Sequence, residues 1–212
     1  GTFLSGLIYR GNEKWPAGRL GSEPSIKLAK FFNSRKFRIN RLKTGTPPRL
    51  FAESIDFKKC ATQNGDFKPE PFSFLTNSID IDQKNCHITH TNIKTHKIIE
   101  KNFENSPIFN GLIESKGPRY CPSIEDKVNK FSDRDRHQIF LEPETIEGDV
   151  IYPNGISTSL PTKVQLEFLK TIKGLENVKV DKFGYAIEYD CIDSNEIRQT
   201  FETKKVEGLF LA

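Results

Sequence analysis

GPRYCPSIEDKVNKFSDRDRHQIFLEPE, residues 117–144, sets a helix start, a short helix and a strand in succession. Ser123 followed three residues later by Asp126 has the spacing of a capping box. Val128 and Phe131 continue from it as an apolar i, i+3 stripe, which predicts a short helix with both residues facing inward. Ile139 to Leu141 then reads as a strand. The free N–H groups of a helix start carry partial positive charge, and Arg119 adds a full one. Cys121 stands directly before that start, a position that favours thiolate over thiol. The same N–H groups suit a phosphate. The segment therefore reads as a reactive-thiol site, a nucleotide phosphate site, or both. The plainer reading stands beside these: a small buried thiol, with Glu125 and Asp126 already answering the helix dipole.

Outward from this segment, the chain reads as a mixture of α and β. Thr2 to Tyr9 is a predicted strand and Gly11 to Gly21 a loop. Ser25 is a suitable N-cap for a helix through Phe32, with Ile26, Ala29 and Phe32 on one face. Phe37 to Leu42 is a strand that the run Lys43 to Arg49 breaks. Residues 51–116 read as short strands with one helix near 95–105. Ile151 to Leu160 reads as a polar, turn-rich loop, in which Ser157, Thr158 and Ser159 are capping candidates for the next helix. That helix opens at Pro161, carries Val164, Phe168, Leu169 and Ile172 on its apolar side, and ends at Gly174. Val178–Val180 and Tyr185–Tyr189 are further strands.

The 212 residues suffice for one large domain or two small ones. At 35% hydrophobic and 28% charged, the composition is that of a globular chain with no membrane-length apolar run. The net charge of +4 does not by itself imply nucleic acid. Its distribution is more telling. No acidic residue lies between Glu23 and Glu53, an interval that contains Lys27, Lys30, Arg35, Lys36, Arg38, Arg41, Lys43 and Arg49. Such a block suggests a surface for phosphates, or simply a solvated basic face. Cys60, Cys86, Cys121 and Cys191 form no close pair, which favours reduced thiols over a disulfide framework. Cys86, His87, His90 and His96 invite a metal reading, but strand alternation sends His87 and His90 to opposite faces and leaves Cys86 about 13 Å from His90. No metal site is expected. His137 and Glu142 have acid–base chemistry available, with a structural role for His137 the simpler expectation. The chain has no methionine and both ends fall in apolar runs, which reads as an internal piece of a longer protein.

Several strings, in order, give the chain a specific resemblance. They are Gly1-Thr-Phe-Leu4, Pro16-Ala-Gly-Arg19, Arg41-Leu-Lys-Thr-Gly-Thr-Pro-Pro-Arg49 and Thr89-His-Thr-Asn92. Gly117 to Val128, His137 to Glu144, Tyr152-Pro-Asn-Gly-Ile-Ser157 and Gly184 to Asp190 continue the series. Together they resemble the MnmG/GidA family of tRNA uridine-modifying flavoproteins. The resemblance implies part of a glutathione-reductase-like FAD/NAD(P)-binding fold with an inserted domain. It places residues 1–50 in the FAD-binding domain, 51–178 in an inserted NAD/substrate domain, and 179–212 back in the FAD-binding domain.

The same resemblance implies a function: addition of a carboxymethylaminomethyl or aminomethyl group at C5 of the tRNA wobble uridine. The implied cofactors are FAD and NADH, with methylene-tetrahydrofolate as one-carbon donor. The implied partners are tRNA and an MnmE-type GTPase, with a homodimer joining the GTPase in a heterotetramer. Ser25 matches a flavin-contacting serine. Gly117, Pro118, Arg119, Tyr120, Cys121, Pro122, Ser123, Ile124, Glu125, Asp126, Lys127, Val128, Asn129, Lys130 and Phe131 match a segment assigned to NAD. Cys121 matches a cysteine of the chemistry, acting as a nucleophile at uracil C6 or in proton transfer. The family's N-terminal glycine fingerprint, its first functional cysteine and its C-terminal Gly-Gln and helical tail have no match here, so the 212 residues alone are expected neither to hold FAD tightly nor to turn over. A cytoplasmic location is expected, with a mitochondrial one the second choice. A non-catalytic tRNA-binding module and a folate-dependent tRNA uridine methyltransferase are the competing readings. A plain thiol oxidoreductase fits least.

Overall fold

The computed structural model describes residues 1–117 and 122–211. They form two antiparallel sheets that the chain visits in turn. The first sheet is built from β1 (Leu7–Arg10), β2 (Glu13–Pro16), β3 (Ile39–Thr46) and β10 (Tyr185–Ile192), in the order β2-β1-β10-β3. The second holds β4 (Arg49–Phe51), β5 (Ala61–Gln63), β6 (Cys86–His90), β7 (Gln138–Pro143), β8 (Val150–Asn154) and β9 (Val180–Lys182), in the order β5-β6-β7-β8-β4-β9. The chain crosses between sheets at Pro47-Pro48 and again at Phe183-Gly184. Proline cannot donate to a ladder, so the Pro pair ends β3. The break therefore comes later than the sequence suggests: Lys43, Thr44, Gly45 and Thr46 still pair with β10.

Two other segments depart from the sequence reading for local reasons. Gly11 to Gly21, expected as a loop, contains β2. Gly11 takes φ +56, as the first position of a two-residue hairpin turn requires, and Arg10 then pairs with Glu13. Ile151 to Leu160, also expected as a loop, begins with β8, where Pro153 is tolerated as a buried residue opposite Leu141. Conversely, residues 64–85 carry no helix or strand, and Phe67, Phe72, Phe74 and Leu75 are left almost wholly exposed there.

Among the described residues, four α-helices complete the fold: α1 (Ile26–Ser34), α2 (Ile93–Glu100), α3 (Ile124–Lys130) and α4 (Thr162–Leu169). Alternation along the second sheet puts Leu50, Ile139, Leu141 and Ile151 on one face, where they join Ile99, Ile124, Val128 and Phe168 in the main core. The first sheet has smaller clusters around Ile8, Ala17 and Ile187. α1 buries Ala29 and Phe32 as its periodicity requires, but Ile26 is 42% exposed. Gln165 ties α4 to the crossover. Its buried amide donates to Leu160 O at 2.7 Å and to Gly184 O at 3.0 Å, and accepts from Gly184 N at 2.8 Å.

Candidate functional site

The Ser123–Asp126 capping box forms in full. Asp126 N donates to Ser123 Oγ at 3.1 Å, and Ser123 N donates to Asp126 Oδ2 at 3.3 Å. Ile124 N donates to Ser157 O at 2.7 Å and Lys127 N to Ser123 O at 3.0 Å. The start of α3 therefore spends these N–H groups inside the protein rather than presenting them to a phosphate. Replacing Ser123 by Ala should cost about 1 kcal/mol in urea unfolding, the usual worth of an N-cap. An unchanged midpoint would mean that the Ser157 contact alone holds the helix.

The segment divides sharply by exposure. Ser123, Ile124, Glu125 and Val128 are buried. Pro122, Asn129, Lys130 and Phe131 are exposed, and Lys127 is half-buried. Phe131 departs from its expected inward position: at 43% exposure it faces solvent and stacks beneath the Arg134 guanidinium, 5.2 Å from the ring centroid. Gly117 is exposed, next to Lys116, whose carbonyl accepts from Lys43 N at 3.1 Å on β3. Pro118, Arg119, Tyr120 and the expected reactive thiol Cys121 lie outside the described residues.

Glu125 anchors the segment from below. Its Oε1 accepts from Ser159 N at 2.9 Å, Thr158 Oγ1 at 3.0 Å and Ser159 Oγ at 3.3 Å. Burial raises its pKa, against the pull of those donors. Ser157, Thr158 and Ser159 thus hold α3 against the loop after β8 instead of capping α4, whose N-cap position is Pro161.

Pro122, Lys127, Phe131, Arg134, His137 and Asn154 surround a concavity of about 480 Å³ beside α3. Lys127 Nζ donates to Gly155 O at 2.8 Å, and burial lowers its pKa. Gly155 takes φ +107, and a Cβ there would stand 2.7 Å from Gln138 O, so this approach of β8 to β7 admits only glycine. His137 is buried, as the structural expectation had it. Its N–H donates to Thr91 Oγ1 at 2.7 Å, and that hydroxyl also pairs with His96 Nε2 at 2.7 Å. Burial first, then the neighbouring His96, Lys127 and Arg134, lower the His137 pKa to about 4. The ring is neutral at physiological pH.

Ser25 lies elsewhere, in a second concavity of about 430 Å³ lined mainly by apolar groups, including Phe3, Leu28, Phe32 and Ile192. It occupies the N-cap position of α1, but its side chain makes no capping bond. A hydroxyl free of the helix, at the edge of an apolar slot, fits a flat ring system such as a flavin. The cationic and aromatic groups beside α3 fit a nucleotide. Among the expected cofactor residues, Ser25 lines one concavity, and Pro122, Lys127 and Phe131 line the other.

Half of the basic residues in the interval between Glu23 and Glu53 are paired within the fold. Arg41 pairs with Asp190 at 2.8 Å, Arg49 with Glu144 at 2.9 Å, Arg38 with Glu196 at 3.2 Å and Lys43 with Asp126 at 3.6 Å. His87 packs on Phe57 and His96 sits buried on α2. Among the described residues, no group of three or more His, Cys, Asp or Glu is placed to hold a metal ion, and no helix is long and apolar enough to cross a membrane.

A family model described as glucose inhibited division protein A (GidA) matches residues 1–212. The chain belongs to this family. A Campylobacter hominis relative named "tRNA uridine 5-carboxymethylaminomethyl modification enzyme MnmG" is 50% identical over all of this chain and 36% of its own length. One of the same name from Campylobacter fetus subsp. fetus is 51% identical over all of this chain and 34% of its own length. Two crystal forms of Aquifex aeolicus GidA superpose with TM-scores of 0.88 and 0.86 at 47% and 49% identity. Each superposition covers 99% of this chain, against 34% and 36% of the Aquifex chain. The chain thus spans about a third of the length of these relatives. At these identities the two-sheet α/β architecture is that of the GidA structures, as expected from the ordered motifs.

Proposed function

We propose that this chain is part of an enzyme that modifies the wobble uridine of tRNA, building an aminomethyl-type group at uracil C5. The observation that supports it is the alignment of the whole chain with relatives named for that modification, at 50% and 51% identity. In this reading FAD, reduced by NADH, supplies redox chemistry, methylene-tetrahydrofolate supplies the carbon, and an MnmE-type GTPase is the partner. Ser25 and the apolar slot around it hold the flavin. The exposed side of α3, through Pro122, Lys127 and Phe131, faces NAD or the target nucleotide. Cys121 supplies the thiol. Glu125 and Ser123, being buried, position this segment without touching a ligand.

The test is reconstitution of the full-length protein that contains this chain with its GTPase partner, tRNA, FAD, NADH and methylene-tetrahydrofolate carrying a labelled methylene carbon. The label is expected to enter tRNA with wild-type protein. It is expected to be lost with Cys121→Ser, while flavin content and tRNA affinity are retained. Wild-type rates in the variant would remove Cys121 from the chemistry. Absence of label with flavin-loaded wild type would count against the reading itself.

A further inference from the structure

We propose that the open face of the second sheet is a track for single-stranded RNA, running between two cationic depressions that the fold assembles from distant segments. The identity of the RNA rests on the function proposed above; the track rests on geometry. Along β7 and β8, Ile139, Leu141 and Ile151 face the core, and alternate residues face away from it. Phe140 and Tyr152 on that outer side are partly exposed, and Gln138 and Asn154 are exposed. Across the ladders, Phe140 pairs with Asn154, and Arg49 pairs with Lys182. These residues therefore share one side of the sheet.

At one end of this side lies the concavity holding Lys127 and Arg134, whose described lining contains no carboxylate. At the other end, a depression of about 350 Å³ gathers Arg19, Arg49 and Lys182 from three separate parts of the chain, with Glu144 as the only carboxylate among its described lining residues. Arg49 is already paired with Glu144 and Lys182 lies 3.7 Å from Asp181, so the net positive charge there comes from Arg19. Between the two ends stand rings and one carboxylate, Glu142, which lies opposite Tyr152 and accepts from Asn154 Nδ2 at 3.1 Å. Tyr152 lies 4.4 Å from the Arg49 guanidinium, and Phe140 and Phe131 border the first depression. Asn154 and Tyr152 are two residues apart on β8, about 7 Å along the strand. Cations that take phosphates, alternating with rings on which bases stack, form the usual platform for unpaired nucleotides. An acidic peptide would use the cations but leave the rings without partners.

Fluorescence anisotropy with a labelled stem-loop RNA bearing an unpaired uridine loop, over a range of salt concentrations, tests this. The double substitution Arg19→Gln/Lys182→Gln, and separately Arg134→Gln, should weaken binding several-fold and shallow the salt dependence by about one unit per charge removed. Phe131→Ser should weaken binding about tenfold with the salt dependence unchanged, because stacking releases no counterions. Lys97→Gln, an exposed position on α2 over the opposite face, should bind as wild type. ADP-ribose titrated into the same variants separates RNA from a free dinucleotide: loss of ADP-ribose binding with RNA binding intact would assign the depressions to the dinucleotide and overturn the track. Wild-type RNA affinity in all track variants would overturn it as well. If wild-type protein bound no RNA, both the track and the tRNA reading would fall, whereas normal binding in the variants would sink the track alone.

Discussion

Replacing Glu125 by Ala should destabilise the protein by about 3–5 kcal/mol, one of the largest effects expected of a single substitution here. The side chain is fully buried, and one of its oxygens accepts three donors from Thr158 and Ser159. Alanine would leave the Ser159 N–H and the Thr158 hydroxyl buried without that acceptor, each costing about 1–3 kcal/mol where they cannot re-pair, while Ser159 Oγ keeps Ser106 Oγ at 3.4 Å, and would open a void beside them. Glu125→Gln keeps the accepting oxygen and the shape, and should lie within about 1 kcal/mol of wild type. Urea unfolding of the two variants is decisive. Equal and small losses would mean that the donors find other partners. A large loss in Gln as well would mean that the carboxylic group itself is needed, since burial raises its pKa and its second oxygen has no partner in the structure.

The second large effect is a pH dependence carried by His137. An ordinary histidine titrates near 6.5, and this one is lowered to about 4, chiefly by burial. Between those values the unfolded chain binds a proton that the folded chain does not. Stability contributed by His137 is therefore full above about pH 6.5, falls as the pH drops through this window, and is gone below about pH 4. The change amounts to about 2–3 kcal/mol. Glu125 acts in the opposite sense, because its folded pKa is raised and its contribution declines as pH rises above the unfolded value. Comparing wild type with His137→Gln cancels that background. The variant should lose less stability than wild type on acidification from pH 6.5 to 4. Parallel curves would show that His137 titrates as an exposed histidine.

What could be read from the residues was mostly local. Ser123 and Asp126 are neighbours on one turn, so their spacing already contains their hydrogen bonds. The apolar periodicity of α4 is likewise local, and it buried Val164, Phe168 and Leu169 as expected, though the helix ends at Leu169, before Gly174, and Ile172 is buried in the turn that follows. The misreadings arose where a partner lay far along the chain. Tyr152-Pro-Asn-Gly looks like a turn until β4 and β7 pair with it on either side. Arg41, Lys43 and Arg49 look like a phosphate surface until Asp190, Asp126 and Glu144 reach them. Glu125 looked like a helix-dipole carboxylate, and nothing nearby in sequence announced that Thr158 and Ser159 would hold it. The gathering of Arg19, Arg49 and Lys182 at one depression was equally invisible, since their positions are brought together only by the crossings between sheets.

Nucleoside mass spectrometry of bulk tRNA tests the proposed function most directly, using a strain that lacks the full-length gene containing this chain and is complemented with that gene. Restoration of an aminomethyl-type substituent at C5 of the wobble uridine is the expected result. A tRNA pool that still lacks the modified uridine, with the protein accumulating normally and loaded with flavin, would contradict it.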